Sequence, residues 1–293
     1  MRKSLLLAAV IGSFSLPAAV MAEDAAPADA PTAHSHPEEK GTAPATAPAA
    51  EPASPHTFTY NIGLYSQYIF RGLTQTARKP AIQGGVDYSH SSGLYAGTWA
   101  SNISWLEDGG FFKHSSLEWD IYGGYRNTIG ETGIGYDVGL LNYVYPATRT
   151  AAGKIPAVSD PYTLEAYGAL SYKWLQAKVS YGITDIFAVD DSSGSYYAEL
   201  NANIPIGDSG FTANLHYGHQ DYKGRASGVV DSNDKLYTYD DWKIGVTKSW
   251  SNGVNVGGYW TDTNAEDAGY GKALYSGTDL GDGTFTVFVQ KTF

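Results

Sequence analysis

Residues 174–184 read Trp-Leu-Gln-Ala-Lys-Val-Ser-Tyr-Gly-Ile-Thr. Leu175, Ala177, Val179, Tyr181 and Ile183 share one side of a period-two ladder, and Gln176, Lys178, Ser180 and Gly182 share the other. Successive side chains of a strand point to opposite faces, so this stretch reads as a strand with one apolar face and one wet face. The join before it, at Lys173-Trp174, leaves room only for a tight turn.

The same texture runs outward in both directions. Apolar–polar alternation bounded by turn signals predicts twelve strands, at 58–70, 80–90, 93–103, 115–127, 133–145, 161–173, 174–184, 195–205, 210–220, 238–250, 253–263 and 283–293. Their connections alternate in length. Ser91-Ser92-Gly93, 128–132, Lys173-Trp174, 207–210 and Ser251-Asn252-Gly253 are short. The segments 71–79, 105–110, 146–160, 190–194, 221–237 and 264–282 are longer. Outer-membrane barrels have short periplasmic turns, longer outer loops and an even strand count. A soluble sandwich has no reason to sort its loops in this way. The fold expected is therefore all-β, a transmembrane antiparallel up-and-down barrel of about twelve strands.

In the first predicted strand, Tyr60, Ile62, Leu64, Tyr68 and Phe70 share the apolar face, opposite Thr59, Asn61, Gly63, Tyr65 and Gln67. In the tenth, Trp242, Ile244, Val246 and Trp250 oppose Asp241, Lys243, Gly245 and Thr247. Lys248 falls on the apolar side near the short-turn end, where its amine can snorkel to headgroups. In the last strand Phe285, Val287, Val289 and Phe293 share a face that Lys291 interrupts. An amphipathic final strand with a terminal aromatic is what barrel-insertion machinery reads, so these four are the expected insertion signal. The strand at 93–103 carries aromatics and glycines on one face and small residues with Leu94 on the other, which leaves its lipid face open.

Composition agrees. The chain has 23 tyrosines against 10 phenylalanines, 34 glycines and no cysteine, so disulfides do not hold it. Apart from Arg2 and Lys3, 17 basic residues face 30 acidic ones, a balance unsuited to nucleic acid. Arg2, Lys3, the apolar run Leu5–Leu16, Pro17 and the small residues before Ala22 predict a secretory signal at 1–22 rather than a membrane anchor. Residues 23–56, rich in Ala, Pro and acids, predict a disordered periplasmic linker ahead of a barrel at 57–293. His34 and His36 within it read as incidental polar residues rather than metal ligands.

Two stretches add a resemblance. Asn61-Ile62-Gly63-Leu64-Tyr65-Ser66-Gln67-Tyr68-Ile69-Phe70-Arg71-Gly72-Leu73-Thr74-Gln75, and Gln83–Tyr88 leading into 93–102, resemble the TorF-like putative porins, also labelled Gcw_chp. The resemblance covers about 58–293 and implies an outer-membrane location, with little about substrate. The Ala/Pro linker departs from that pattern.

Twelve strands tilted about 40° give a backbone radius of roughly 12 Å, and a lumen of roughly 10 Å if no loop folds in. The inward parity nominates Asp87, Glu118, Asp120, Arg126, Asp137, Glu165, Lys173, Lys178, Glu199, Asp241 and Lys243 as lumen residues. Acids outnumber bases among them, so a water-filled, mildly cation-preferring pore for small polar solutes is expected. Charges pairing across the barrel into a closed polar plug is the alternative, as is a structural or tethering envelope barrel. Tyr65, Tyr122, Tyr143 and Tyr167 also take the inward parity. His216 and Asn214 share an inward face, and His219 lies near the rim. No nucleophile elbow, zinc motif or phosphate loop occurs, so no catalytic, cofactor-binding or metal site is expected. The partners expected are outer-membrane lipid, the insertion machinery and small solutes.

Overall fold

The computed structural model describes residues 54–293. The expected signal at 1–22 and nearly all of the expected linker lie outside the described residues. Twelve antiparallel strands close into one barrel: β1 (His56–Tyr65), β2 (Ala81–His90), β3 (Leu94–Asn102), β4 (Leu117–Thr128), β5 (Ile134–Val144), β6 (Thr163–Tyr172), β7 (Leu175–Gly182), β8 (Tyr196–Pro205), β9 (Phe211–Asp221), β10 (Tyr239–Ser249), β11 (Val254–Thr263) and β12 (Thr284–Thr292). Each strand pairs with its neighbours in sequence, and β1 closes on β12 through Asn61↔Thr292 to Tyr65↔Phe288. Followed from Leu64 through every register in turn, the ladder returns to the line of β1 at position 80, a stagger of 16 residues. Twelve strands with that stagger tilt about 42° and give a radius of about 12–13 Å.

The outward faces make one apolar band. Ile62, Leu64, Leu140, Val179, Ile244 and Val287 are all exposed. A band of this size would drive a water-soluble barrel to aggregate. Against hydrocarbon it is the proper lipid face of a transmembrane barrel, whose backbone groups all pair within the closed ladder. Lysines mark the short-turn end. Lys248 lies over the rings of Phe211 at 4.9 Å and Trp250 at 5.6 Å, and its amine donates to the Ser209 carbonyl. Lys291 lies over Phe293 at 5.2 Å and donates to the Asn252 carbonyl, so its break in the β12 pattern is a snorkelling cation. On β3 the small residues face out. Trp119 from β4 covers them, its indole N–H donating to Thr98 Oγ1 at 2.6 Å, while Tyr95 and Trp99 point inward.

Inside, glycine and tyrosine are matched. Gly97 stands opposite Tyr122, Gly124 opposite Tyr95, and Gly139 opposite Tyr167. A methyl group on Gly97 would lie 2.4 Å from the Tyr122 ring, and one on Gly139 2.6 Å from the Tyr167 hydroxyl. The rings lie flat across the wall in the space a side chain would fill, which is why both residue types are abundant.

The long loops gather at one end and the short turns at the other. Three short helices sit in the long loops: α1 (Trp105–Asp108), α2 (Asn233–Tyr237) and α3 (Asp267–Tyr270). One expectation about the extent of the strands fails. The first strand does not run to Phe70; it stops at Tyr65, and residues 66–80 turn into the barrel. Tyr68 and Phe70 keep the parity of the lipid face but are buried inside. Arg71 and Gly72 both have positive φ, which makes a tight reversal between the two-residue strands Ile69–Phe70 and Leu73–Thr74.

Candidate functional site

The inward loop meets the lumen wall at its tip. Arg71 donates to both oxygens of Glu165 on β6, at 2.7 and 2.9 Å, and to Gln220 Oε1 on β9 at 2.8 Å. Only 3% of the Arg71 side chain and 2% of the Glu165 side chain are exposed. The guanidinium also lies over Phe70 at 4.8 Å, Phe187 at 5.6 Å and Tyr197 at 4.4 Å. The Arg71 carbonyl accepts from Tyr239 Oη at 2.8 Å. Beside it, Tyr68 Oη donates to Glu118 Oε1 at 2.8 Å and Tyr68 packs edge-on against Trp99. At the start of the loop, Gln67 Nε2 donates to Thr284 Oγ1 at 2.8 Å. One loop is thereby fastened to β4, β6, β9, β10 and β12.

Around this loop stand the charged residues of the barrel wall. Asp87, Glu118, Asp120, Arg126, Asp137, Glu165, Lys178, Glu199, Asp241 and Lys243 all face inward. Lys173 does not. It occupies the β6–β7 turn with φ 53° and lies over the outward ring of Tyr172, because β6 ends one residue earlier than the alternation suggests.

Three groups form. Asp87 accepts from Tyr122 Oη at 2.6 Å, Asp137 accepts from Tyr95 Oη, and Arg126 lies over the Tyr95 ring at 4.8 Å. On the opposite wall His216 Nε2 sits 2.9 Å from both Asp241 Oδ1 and Tyr197 Oη, while Tyr197 donates to Asp241 Oδ2 at 2.7 Å. Lys178 stands 3.8 Å from Glu199, whose other oxygen accepts from Asn201 Nδ2 at 2.9 Å. His216 Nδ1 lies 2.7 Å from Asn201 Oδ1, so the ring is held by carboxylate, amide and phenol within a positioned polar network. Between these groups lies Asp120, 1% exposed, with neither carboxylate oxygen hydrogen-bonded and with Glu118 and Glu165 in electrostatic reach.

The lumen differs along its axis. Toward the short turns one wall carries neutral amides and hydroxyls, and the other carries Asp87, Arg126 and Asp137. Asn214 donates to Asn203 at 2.6 Å and accepts from Thr247 at 2.8 Å, and all three are half-buried. The middle is charged. Toward the long loops the inward loop and a layer of tyrosines fill the lumen. Tyr65 stacks on Phe288 at 5.2 Å, and Tyr143 is 1% exposed. All four tyrosines assigned inward by parity are inward. His219 lies at the rim, 2.8 Å from Asp240.

Sequence reading missed Arg71, Gln220 and Tyr197, which organise the site. Arg71 fell in a stretch read as the first strand and its loop. The available signal was Gln67, Arg71, Thr74, Gln75 and Thr76, polar residues too densely placed for a chain facing lipid or ending a strand.

A family model described as "Bacterial protein of unknown function (Gcw_chp)" matches residues 49–293. No curated protein matches the chain. Among solved structures, the COG4313 outer membrane channel from Pseudomonas putida F1 aligns with TM-score 0.47 and 11% identity, over 85% of this chain and all of that one. The KdgM porin aligns with TM-score 0.44 and 7% identity, over 80% and 98%. The outer membrane protein OprD from Pseudomonas aeruginosa aligns with TM-score 0.34 and 14% identity, over 73% and 59%. These are distant outer-membrane barrels, and what each of them conducts stays with it.

Proposed function

The chain belongs to the Gcw_chp family of bacterial proteins, and from the geometry of its barrel we propose an outer-membrane channel for passive diffusion of small polar solutes, mildly cation-preferring, with loop 66–80 as its constriction. One observation carries the reading: Asp120, a buried carboxylate in the middle of the lumen that nothing in the wall pairs. A carboxylate removed from water without a partner costs several kcal/mol, which either a proton or a passing cation offsets. With Lys173 outside the lumen and Arg71 inside it, Asp87, Glu118, Asp120, Asp137, Glu165, Glu199 and Asp241 still outnumber Arg71, Arg126, Lys178 and Lys243. The polar, half-buried lining toward the short turns supports entry of polar solutes from that side.

The reading places the short turns and the linker 23–56 in the periplasm and the long loops outside. Planar bilayers test it. Reconstituted protein gives discrete conductance steps, and under a salt gradient its reversal potential has the sign of cation selectivity, reduced in Asp120→Asn. Anion selectivity would reject the cation preference. Absence of steps in both the wild type and a variant with the loop released would reject transport. That second result favours a closed envelope barrel, the reading to which the deep burial of residues 67–76 lends weight.

A further inference from the structure

Above the Arg71 tip the long loops line a recess that opens to solvent. Phe70 and Arg71 of the inward loop form its base, and Trp105, Phe187, Tyr222 and Tyr275 of the other long loops are among its walls. Its chemistry is that of small-molecule sites, ring faces with a few polar groups. Gln75, Gln220 and five tyrosine hydroxyls of its lining can donate or accept, while Trp105 and Arg71 can only donate. The indole N–H of Trp105 is buried with no hydrogen-bond partner. The guanidinium of Arg71 has five N–H groups, and its bonds to Glu165 and Gln220 use three of them. The nearby acceptor Gln220 Oε1 already takes the bond from Arg71, and Tyr239 Oη is turned to the Arg71 carbonyl.

We infer that this recess is a binding site for an aromatic compound bearing a carbonyl or carboxylate oxygen. The ring would stack among the tyrosine and phenylalanine faces, whose quadrupoles favour offset and edge-on contacts. The oxygen would take the unpartnered indole N–H and a spare N–H of Arg71. An alkyl chain fits poorly, since it leaves both donors unpaired. Because Phe70 and Arg71 form the base, the ligand would rest directly on the loop that fills the barrel. The inference does not depend on conduction, and it is tested by binding alone.

The test uses the refolded full-length protein in aliphatic-chain detergent micelles, with folding of every variant checked by heat-modifiable gel mobility. Fluorine NMR follows para-fluorobenzamide, para-fluorobenzoate and para-fluorobenzylamine. The amide and carboxylate are expected to give saturable broadening and the amine none at equal concentration. The two acceptors separate a neutral carbonyl ligand from an anionic one by which binds more tightly. Trp105→Phe keeps a ring and removes the donor, and is expected to weaken binding about five- to tenfold, the value of one hydrogen bond. Phe187→Leu, which leaves Trp105 in place, is expected to weaken it through lost ring contact. Equal binding of the amine would overturn the proposal, as would unsaturable partitioning of all three probes. So would affinities unchanged in both variants.

Discussion

Replacing Glu165 by glutamine removes the charge that anchors Arg71 while keeping the shape of the side chain. In the wild type the guanidinium is 3% exposed and makes two bonds to Glu165, at 2.7 and 2.9 Å. Taking one partner from a buried ion pair costs about 3–5 kcal/mol, because the remaining charge stays desolvated. Gln220 at 2.8 Å and three ring faces still hold the guanidinium, which argues for the low end of that range. Moving Arg71 into water escapes the penalty, so the cost falls on the docked loop. About 3 kcal/mol shifts the equilibrium between docked and released loop by about a hundredfold. Two assays read it. Trypsin is expected to cut after Arg71 in Glu165→Gln and not in the wild type, where the bond is inaccessible. In planar bilayers the variant is expected to show larger or longer openings. The double variant Arg71→Met, Glu165→Leu substitutes apolar side chains for the pair and is expected to stay docked and closed. Unchanged tryptic pattern and conductance in Glu165→Gln would refute the assignment of this pair as the anchor. Release in the double variant would show that the apolar contacts of the loop are too weak to hold it without the ion pair.

Further outcomes follow from other parts of the barrel. Ile244, mid-strand on β10 and 60% exposed, faces lipid; Ile244→Arg is expected to destabilise the barrel by about 2–4 kcal/mol in reversible unfolding from bilayers. A methyl group on Gly218 would lie 2.0 Å from Tyr197 Oη and 2.5 Å from Asp241 Oδ2; Gly218→Ala is expected to cost about 1–3 kcal/mol by the same measurement. In the long loops, the hydroxyl and the backbone N–H of Ser227 donate to Asp190 Oδ2 and hold its carboxyl below the usual carboxylate range. A pKa depressed on folding gives stability that is complete above the unfolded value and fades as pH falls through the folded one. Amide exchange at Ser227 is therefore expected to accelerate only at pH below the ordinary carboxylate range, and Asp190→Asn is expected to abolish that acid step.

Much of the barrel was legible in the order of residues. β7 needed only its alternation, and Gln176, Lys178 and Ser180 face inward as their parity says. The inward placement of ten lumen charges came from the same rule, because a period of two fixes every face once one is known. Lys173 escaped it, since parity has no meaning one residue past a strand end. β3 was unreadable for a different reason: its small outward residues are covered by Trp119 of β4, a contact between strands that no single strand's pattern contains.

What the sequence by itself determined is the number of strands, their faces and the sorting of short turns from long loops. Each of these depends on neighbours in the chain. Only the tertiary structure decided that residues 66–80 fill the barrel. Tyr68 and Phe70 continue the apolar parity of β1 unbroken, so the local pattern is the same whether the chain runs on along lipid or turns inward. What turns it is a set of partners far away in sequence, Glu118 for Tyr68 and Glu165 with Gln220 for Arg71. A buried guanidinium is stable only where those strands bring carboxylate and amide to it, and closure of the barrel is what brings them.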